Sequence, residues 1–309
     1  MLEVKDLRKD YAGFQAVNGI SFSLKPGDIL GFIGANGAGK TTTIRMLATL
    51  LEPSSGTATI DGFDIVKHPM DVRQRIGYMP DFFGLYDDVK VWEYLDFFAT
   101  IHQIPTRGRP AVIKQALELT DLTIKRDAYV QTLSRGMQQR LCLAKCLVHD
   151  PSLLLLDEPA SGLDPRARAE LKELILELGR MGKILIISSH ILPELSDFCN
   201  TVAIIERGNM VAFGPVSTLL QQVRQSREIR VRVLDRVAAT HAALDGLPGV
   251  IESTVQSETE LRISFDGDDH AQANVLKTLI EKGLPVISFQ EAEADLQDVF
   301  LQLTTGAVN

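Results

Sequence analysis

Only 3 cysteines occur in 309 residues, Cys142, Cys146 and Cys199. That is too few for a disulfide-stapled scaffold, and their spacing matches no zinc-ligand pattern. Cys142 and Cys146 fall one helical turn apart, as two buried structural thiols on one helix face would. Basic residues are also in the minority, 32 against 40 acidic ones, for a net charge of −8. A duplex-binding protein draws affinity from neutralising phosphates, so nucleic acid is not an expected partner. The deficit is uneven, since residues 221–309 hold 8 basic against 14 acidic side chains. No apolar run approaches the ~20 residues of a membrane span. The opening MLEVKDLRKDY lacks the basic-then-apolar pattern of a signal peptide. The expectation is a cytoplasmic chain that reaches a membrane only through a partner.

There is no solenoid repeat and no low-complexity tract. Up to about residue 80 the pattern is mostly strand: LEVKDLRKDY and AVNGISFSL pair, PGD turns into the apolar ILGFIG, and GTATIDGFDI turns back at Asp61-Gly62. VWEYLDFFATIHQI, RPAVIKQALEL and the segment after Gly136 have helical periodicity. From SLLLLDE to VAIIERGNMVAFG, strand and helix alternate again, which predicts a mostly parallel sheet with crossover helices. The fold class is therefore α/β, with a domain over 1–220 and a helical subdomain at about 82–150. Composition shifts at QQVRQSRE. Beyond it, residues 221–309 read strand, helix, two strands, helix, strand, the order of a ferredoxin-like α+β domain, followed by a short helix over DLQDVFLQL.

GANGAGKTT, residues 34–42, follows an apolar strand and opens a helix. It fits G-x-x-x-x-G-K-[ST] through Gly34, Gly39, Lys40 and Thr41. Glycine lets backbone N–H groups curl around phosphate oxygens, and the helix amino end adds positive potential. Lys40 then reaches the β- and γ-phosphates and Thr41 ligates Mg²⁺, with Asn36, Gly37, Ala38 and Thr42 completing the cradle. LLLLDE, residues 153–158, supplies a buried strand with Asp157 at its end for the Mg²⁺ shell. Glu158 follows, suited to orient or deprotonate a water near the γ-phosphate. These two motifs leave GTPases, kinases, helicases and other P-loop families open.

LSRGMQQRLCLAKCL, residues 133–147, separates them. By itself Ser134 reads as an ordinary helix cap. In a chain with the two motifs above, the run resembles the ATP-binding cassette (ABC) signature, L-S-G-G-Q before an apolar helix. It keeps Leu133, Ser134 and Gly136 and departs at Arg135 and Met137. SGLDP (161–165) resembles the family's D-loop and SSH (188–190) its switch-histidine segment, and all follow in the family's order over about 1–220.

The resemblance implies that Tyr11 stacks on adenine, that His190 is the switch histidine and joins Glu158 and Lys40 as a catalytic residue, and that Asp81 stands where the family has Gln or Glu near Mg²⁺. Asp81 is one methylene shorter than Glu. The resemblance further implies ATP and Mg²⁺ as cofactors and head-to-tail pairing with a second copy or a homologous cassette. Ser134 and Gly136 then touch the γ-phosphate of the ATP on the partner's P-loop. It also implies separate transmembrane permease subunits, with DFFGLYDDVKVWEYL near the groove that receives a permease helix. The tail ADLQDVFLQLT is similar to that of ATPases serving drug, antibiotic and lipid exporters. The expected function is an ATPase subunit of an ABC exporter, peripheral on the cytoplasmic face of the membrane. The alternative is a soluble ABC ATPase acting on a ribosome or nucleic-acid machine.

Overall fold

The computed structural model describes residues 1–82, 84–86, 88–189, 195, 198–223 and 227–292. They form two compact units that part between Val216 and Ser217.

In the first unit, β1 (Leu2–Tyr11) and β2 (Phe14–Leu24) pair antiparallel, and β4 (Ser55–Ile60) and β5 (Phe63–Asp64) extend them into a sheet of order β2-β1-β4-β5. A second sheet contains β3 (Ile29–Ile33), β6 (Ile76–Met79), β7 (Leu153–Asp157), β8 (Ile184–Ser189), β9 (Thr201–Glu206) and β10 (Asn209–Pro215). Its order is β10-β9-β3-β8-β7-β6, parallel except for β10 at one edge. Every residue of β3, β7 and β8 is buried. Burial on both faces explains why these strands are continuous apolar runs without alternation.

Helix α1 (Lys40–Leu47) follows β3, and the short α2 (Pro69–Arg73) precedes β6. The helical region between β6 and β7 holds α3 (Val91–Ile101), α4 (Arg109–Leu119) and α5 (Arg135–Leu147) around a core of its own that includes Tyr94, Leu95, Leu117 and Leu141. Just past α5, His149 stacks on His102 with ring centroids 3.6 Å apart and ring planes nearly parallel. Burial lowers the His149 pKa from 6.5 to about 4, and Nε2 lies 2.9 Å from the Ile76 carbonyl. All three cysteines are buried and free, and burial pushes the Cys146 thiol up to about 12. They are packing residues, closed to thiolate chemistry. Helix α6 (Pro165–Arg180) leads into β8, and Asp164 caps it by accepting from the Arg166 and Ala167 amides, both at 2.9 Å.

Helix α7 (Val216–Val223) spans the division. The second unit runs β11 (Arg227–Val233), α8 (Val237–Leu244), β12 (Val250–Val255), β13 (Glu260–Phe265), α9 (Asp269–Glu281) and β14 (Val286–Ala292). Its sheet has the order β12-β13-β11-β14 and is antiparallel throughout. This is the ferredoxin-like βαββαβ arrangement. Ile229, Val231, Val233, Leu261, Ile263 and Phe265 fill its core, every second residue of β11 and β13. The helix expected over DLQDVFLQL lies outside the described residues. Among those residues, no helix is long and apolar enough to cross a membrane.

Candidate nucleotide-binding site

The carboxyl ends of β3, β7 and β8 come out along one edge of the parallel sheet, with Ile33 opposite Ser189 and Asp157 opposite Ser188. Ligands of open α/β sheets bind at this edge. The turn after β3 is built around glycine. A Cβ on Gly34 would lie 2.4 Å from the Ile205 carbonyl oxygen. Gly39 has φ +110°, and a Cβ there would lie 2.5 Å from the Ala16 carbonyl oxygen. No other residue fits either position without moving backbone.

Ala35, Asn36 and Gly37 are exposed at the rim while Ala38, Gly39 and Lys40 are buried. No side chain caps the amino end of α1, so its first amides face the turn. The Lys40 ammonium donates to the carbonyls of Gly34 at 2.5 Å and Ala35 at 3.1 Å. Desolvation lowers its pKa from 10.5, while the charges of Glu158 and Asp157 oppose that shift. The Thr41 hydroxyl donates to Asp157 Oδ1 at 3.2 Å, and Thr42 is half-buried beside it in the chain.

One residue that the motif reading did not single out joins this group. The Ser188 hydroxyl donates to Asp157 Oδ1 at 2.6 Å and accepts from the Glu158 amide at 3.0 Å. Ser188 thus holds the carboxylate and the start of the next loop together. Glu158 itself sits at φ +49°, a left-handed conformation uncommon outside glycine. The sequence signal for Ser188 is the pair of serines that ends an aliphatic strand and opens the SSH run.

The other candidates stand apart from this network. Tyr11 ends β1, 46% exposed, with the Lys9 ammonium 5.4 Å from its ring centre. Asp81 is exposed two residues after β6. Ser134 is the N-cap of α5, and its hydroxyl oxygen faces the Met137 amide at 3.4 Å. Gly136 lies against the start of α6, where a Cβ would meet Ala167 Cβ at 3.2 Å. His190 lies outside the described residues.

A glycine turn joining a buried strand to a helix, a lysine folded into it, and a threonine tied to a strand-end aspartate define a P-loop nucleotide-binding protein. Residues 17–161 match the family model described as ABC transporter, and residues 214–304 match that of the ATP-binding protein DrrA1-3-like C-terminal domain. The chain is 35% identical over 305 residues to Nod factor export ATP-binding protein I of Burkholderia orbicola, covering 98% of this chain and 96% of that protein. It is 32% identical over 306 residues to linearmycin resistance ATP-binding protein LnrL of Bacillus subtilis, covering 98% of each. Among solved structures, cbiO1 from Clostridium perfringens, part of the ABC transporter complex cbiONQ, aligns with a TM-score of 0.64 at 28% identity. That alignment covers 72% of this chain and 93% of cbiO1. The chain belongs to the ABC transporter family, among the ATP-binding subunits of exporter type. It is an ATPase of that family, and these relatives do not favour a ribosome or nucleic-acid machine.

Proposed function

We propose that this chain binds ATP with Mg²⁺ and hydrolyses it as one of two paired cassettes, driving outward transport through separate transmembrane subunits from the cytoplasmic face of the membrane. The network joining Lys40, Thr41, Asp157, Ser188 and Glu158 carries this reading. The names of two relatives, one for export and one for resistance, support the outward direction.

The donor set suits Mg²⁺. A hydroxyl and a single carboxylate are hard oxygen donors, and Mg²⁺ keeps several waters and takes its remaining ligands from phosphates. Among the described residues no cluster of three or more His, Cys, Asp or Glu forms a fuller cage. Thr41 and Asp157 would hold the ion, with Asp81 reaching it or its water, and the ion would neutralise charge on the β- and γ-phosphates. The Lys40 ammonium exchanges loop carbonyls for phosphate oxygens, where it is paired with full negative charge. The amides from Asn36 to Thr42 contribute further donors, and Tyr11 stacks on the base. Glu158 accepts a proton from water as the water oxygen bonds to the γ-phosphorus and the bridging P–O bond to ADP breaks. Ser134 and Gly136 touch the γ-phosphate bound by the partner, and His190 senses the nucleotide from its own chain. The first domain, 1–220, supplies these groups, and 221–309 forms the accessory domain.

Replacing Glu158 by Gln removes the proton acceptor and keeps the shape. ATP binding should persist, hydrolysis should slow by at least ~10²-fold, and an ATP-bound dimer should accumulate on size exclusion. Near-normal turnover in Glu158→Gln would remove Glu158 from the role.

A further inference from the structure

The departure from L-S-G-G-Q at Arg135 puts a long cationic side chain in the first turn of the signature helix. Two residues of α5 one helical turn apart grip the loop that follows Glu158. The Arg135 guanidinium donates to the Ser161 carbonyl at 3.3 Å. It also covers Gly162, whose Cβ, if present, would lie 2.5 Å from the guanidinium carbon. Gly162 has φ +69°, so it is suited to glycine on conformational grounds as well. One turn on, Gln139 is 4% exposed and its side-chain amide donates to the Pro159 carbonyl. Inside the loop, the Ser161 amide donates to the Glu158 carbonyl at 3.1 Å. On the far side, Arg140 pairs with Glu170 of α6. The start of α5, the loop from Glu158 to Gly162 and the start of α6 therefore form one hydrogen-bonded block.

We propose that Arg135 is a positioning residue that locks the signature turn to the Glu158 loop of its own chain, so that engaging a nucleotide on the partner sets the geometry of hydrolysis at home. The proposal rests on the reading of Glu158 as base and of Ser134 and Gly136 as trans contacts. Arg135 is exposed and its partner is a backbone carbonyl, so its removal leaves the core intact. Loss of the grip lets a loop already held in a left-handed conformation at Glu158 relax, and misplacement of a reacting group by about 1 Å costs up to ~10²-fold in rate. The effect belongs in kcat, because the P-loop contacts that bind ATP do not involve this block.

The test uses steady-state ATP hydrolysis by the full chain and by Arg135→Ala and Arg135→Lys. For Arg135→Ala we expect kcat to fall roughly 10-fold or more with KM for ATP changed less than about twofold. Arg135→Lys should recover part of the rate, since an ammonium still donates to the Ser161 carbonyl but does not cover Gly162. An unchanged kcat overturns the proposal. A raised KM at unchanged kcat also overturns it, by making the guanidinium a reader of the partner's nucleotide.

Mixed dimers separate the two geometries further. Pairing Lys40→Ala with Arg135→Ala leaves one working P-loop, facing an intact signature but sharing its chain with the altered Arg135. That pair should be slow. Pairing a Lys40→Ala/Arg135→Ala chain with an unaltered one should retain the activity of the Lys40→Ala/unaltered control. The reverse pattern makes Arg135 a trans contact and overturns the proposal. An inactive control is what coupling to the partner's nucleotide produces, and the kcat-against-KM split of the uniform dimers then decides the role of Arg135. Normal hydrolysis by Glu158→Gln marks failure of the base reading instead.

Discussion

The P-loop end of the parallel sheet and the start of α5 differ in how much of their chemistry is closed within the chain. At the P-loop, Lys40 is buried with two carbonyl acceptors, and Asp157 accepts from both Thr41 and Ser188. The burial of three aliphatic strands fixes these groups before any ligand is considered. At α5, Ser134 is exposed and its one cap contact, at 3.4 Å, is beyond the range of a strong hydrogen bond. The P-loop end is built by packing, whereas the start of α5 is an exposed helix cap. A motif residue whose partners are all internal reports on its own chain. Under the proposed function, the exposed cap at the start of α5 meets the partner's nucleotide.

That contrast breaks most sharply at Lys40. Lys40→Ala should lower ATP affinity by about 10²-fold or more, because several charge-assisted hydrogen bonds to phosphate go at once. Equilibrium binding of a fluorescent ATP analogue measures this; affinity within threefold of the unaltered chain would unseat the P-loop assignment. Gly136→Asp tests the other half. It should leave ATP binding by the chain intact while hydrolysis falls at least ~10-fold, since a carboxylate would face the partner's γ-phosphate. Gly136→Ala is the control, because its Cβ carries no charge and meets Ala167 Cβ at 3.2 Å and Leu163 Cδ2 at 3.7 Å. If Gly136→Asp pairs and hydrolyses normally, Ser134 is a cap and nothing more. A smaller effect is expected at Tyr11, where Ala should raise the ATP Kd about 10-fold with little change in saturated turnover. Unchanged affinity in that variant would end the stacking role.

The smallest effect concerns what anchors the far end of α5. His149, just past that helix, resists protonation down to about 4, whereas an unfolded histidine takes a proton near 6.5. The unfolded chain therefore binds more protons between those values, and stability from this site is lost as pH falls from 6.5 toward 4. His102, Asp150 and Lys183 face the same ring. Urea midpoints across this range should decline more steeply in the unaltered chain than in His149→Phe, which keeps a ring against His102. Parallel curves would assign the acid sensitivity elsewhere.

The readable parts of the molecule are those where local pattern and final environment agree. Four consecutive leucines followed by an aspartate have one comfortable place, the middle of a covered parallel sheet, and β7 is there. Alternating Ile229, Val231 and Val233 likewise predicted a strand with one covered face. Ser188 was not legible, because its value depends on the register between β7 and β8, segments 31 residues apart. The grip of Arg135 on Ser161 spans 26 residues, and by itself LSRGM reads as a capped helix. Among the described residues, no hydrogen bond or ion pair joins Tyr11 or Asp81 to the P-loop network, so their roles come from the family resemblance alone.

The strand order also dictates when during synthesis the P-loop can become a site. β3 lies between β8 and β9, so Ile29–Ile33 find no hydrogen-bonded strand neighbours until residues 184–206 have left the ribosome. The β1–β2 hairpin and the α3–α4 pair close over short stretches of chain and need no such wait. Non-local parallel pairing is the slow kind of assembly. Until β8 is in place, the turn from Gly34 to Thr41 lacks Ser188 and the strand that joins it to Asp157. Nucleotide then favours the folded cassette by mass action only once that strand has joined the sheet.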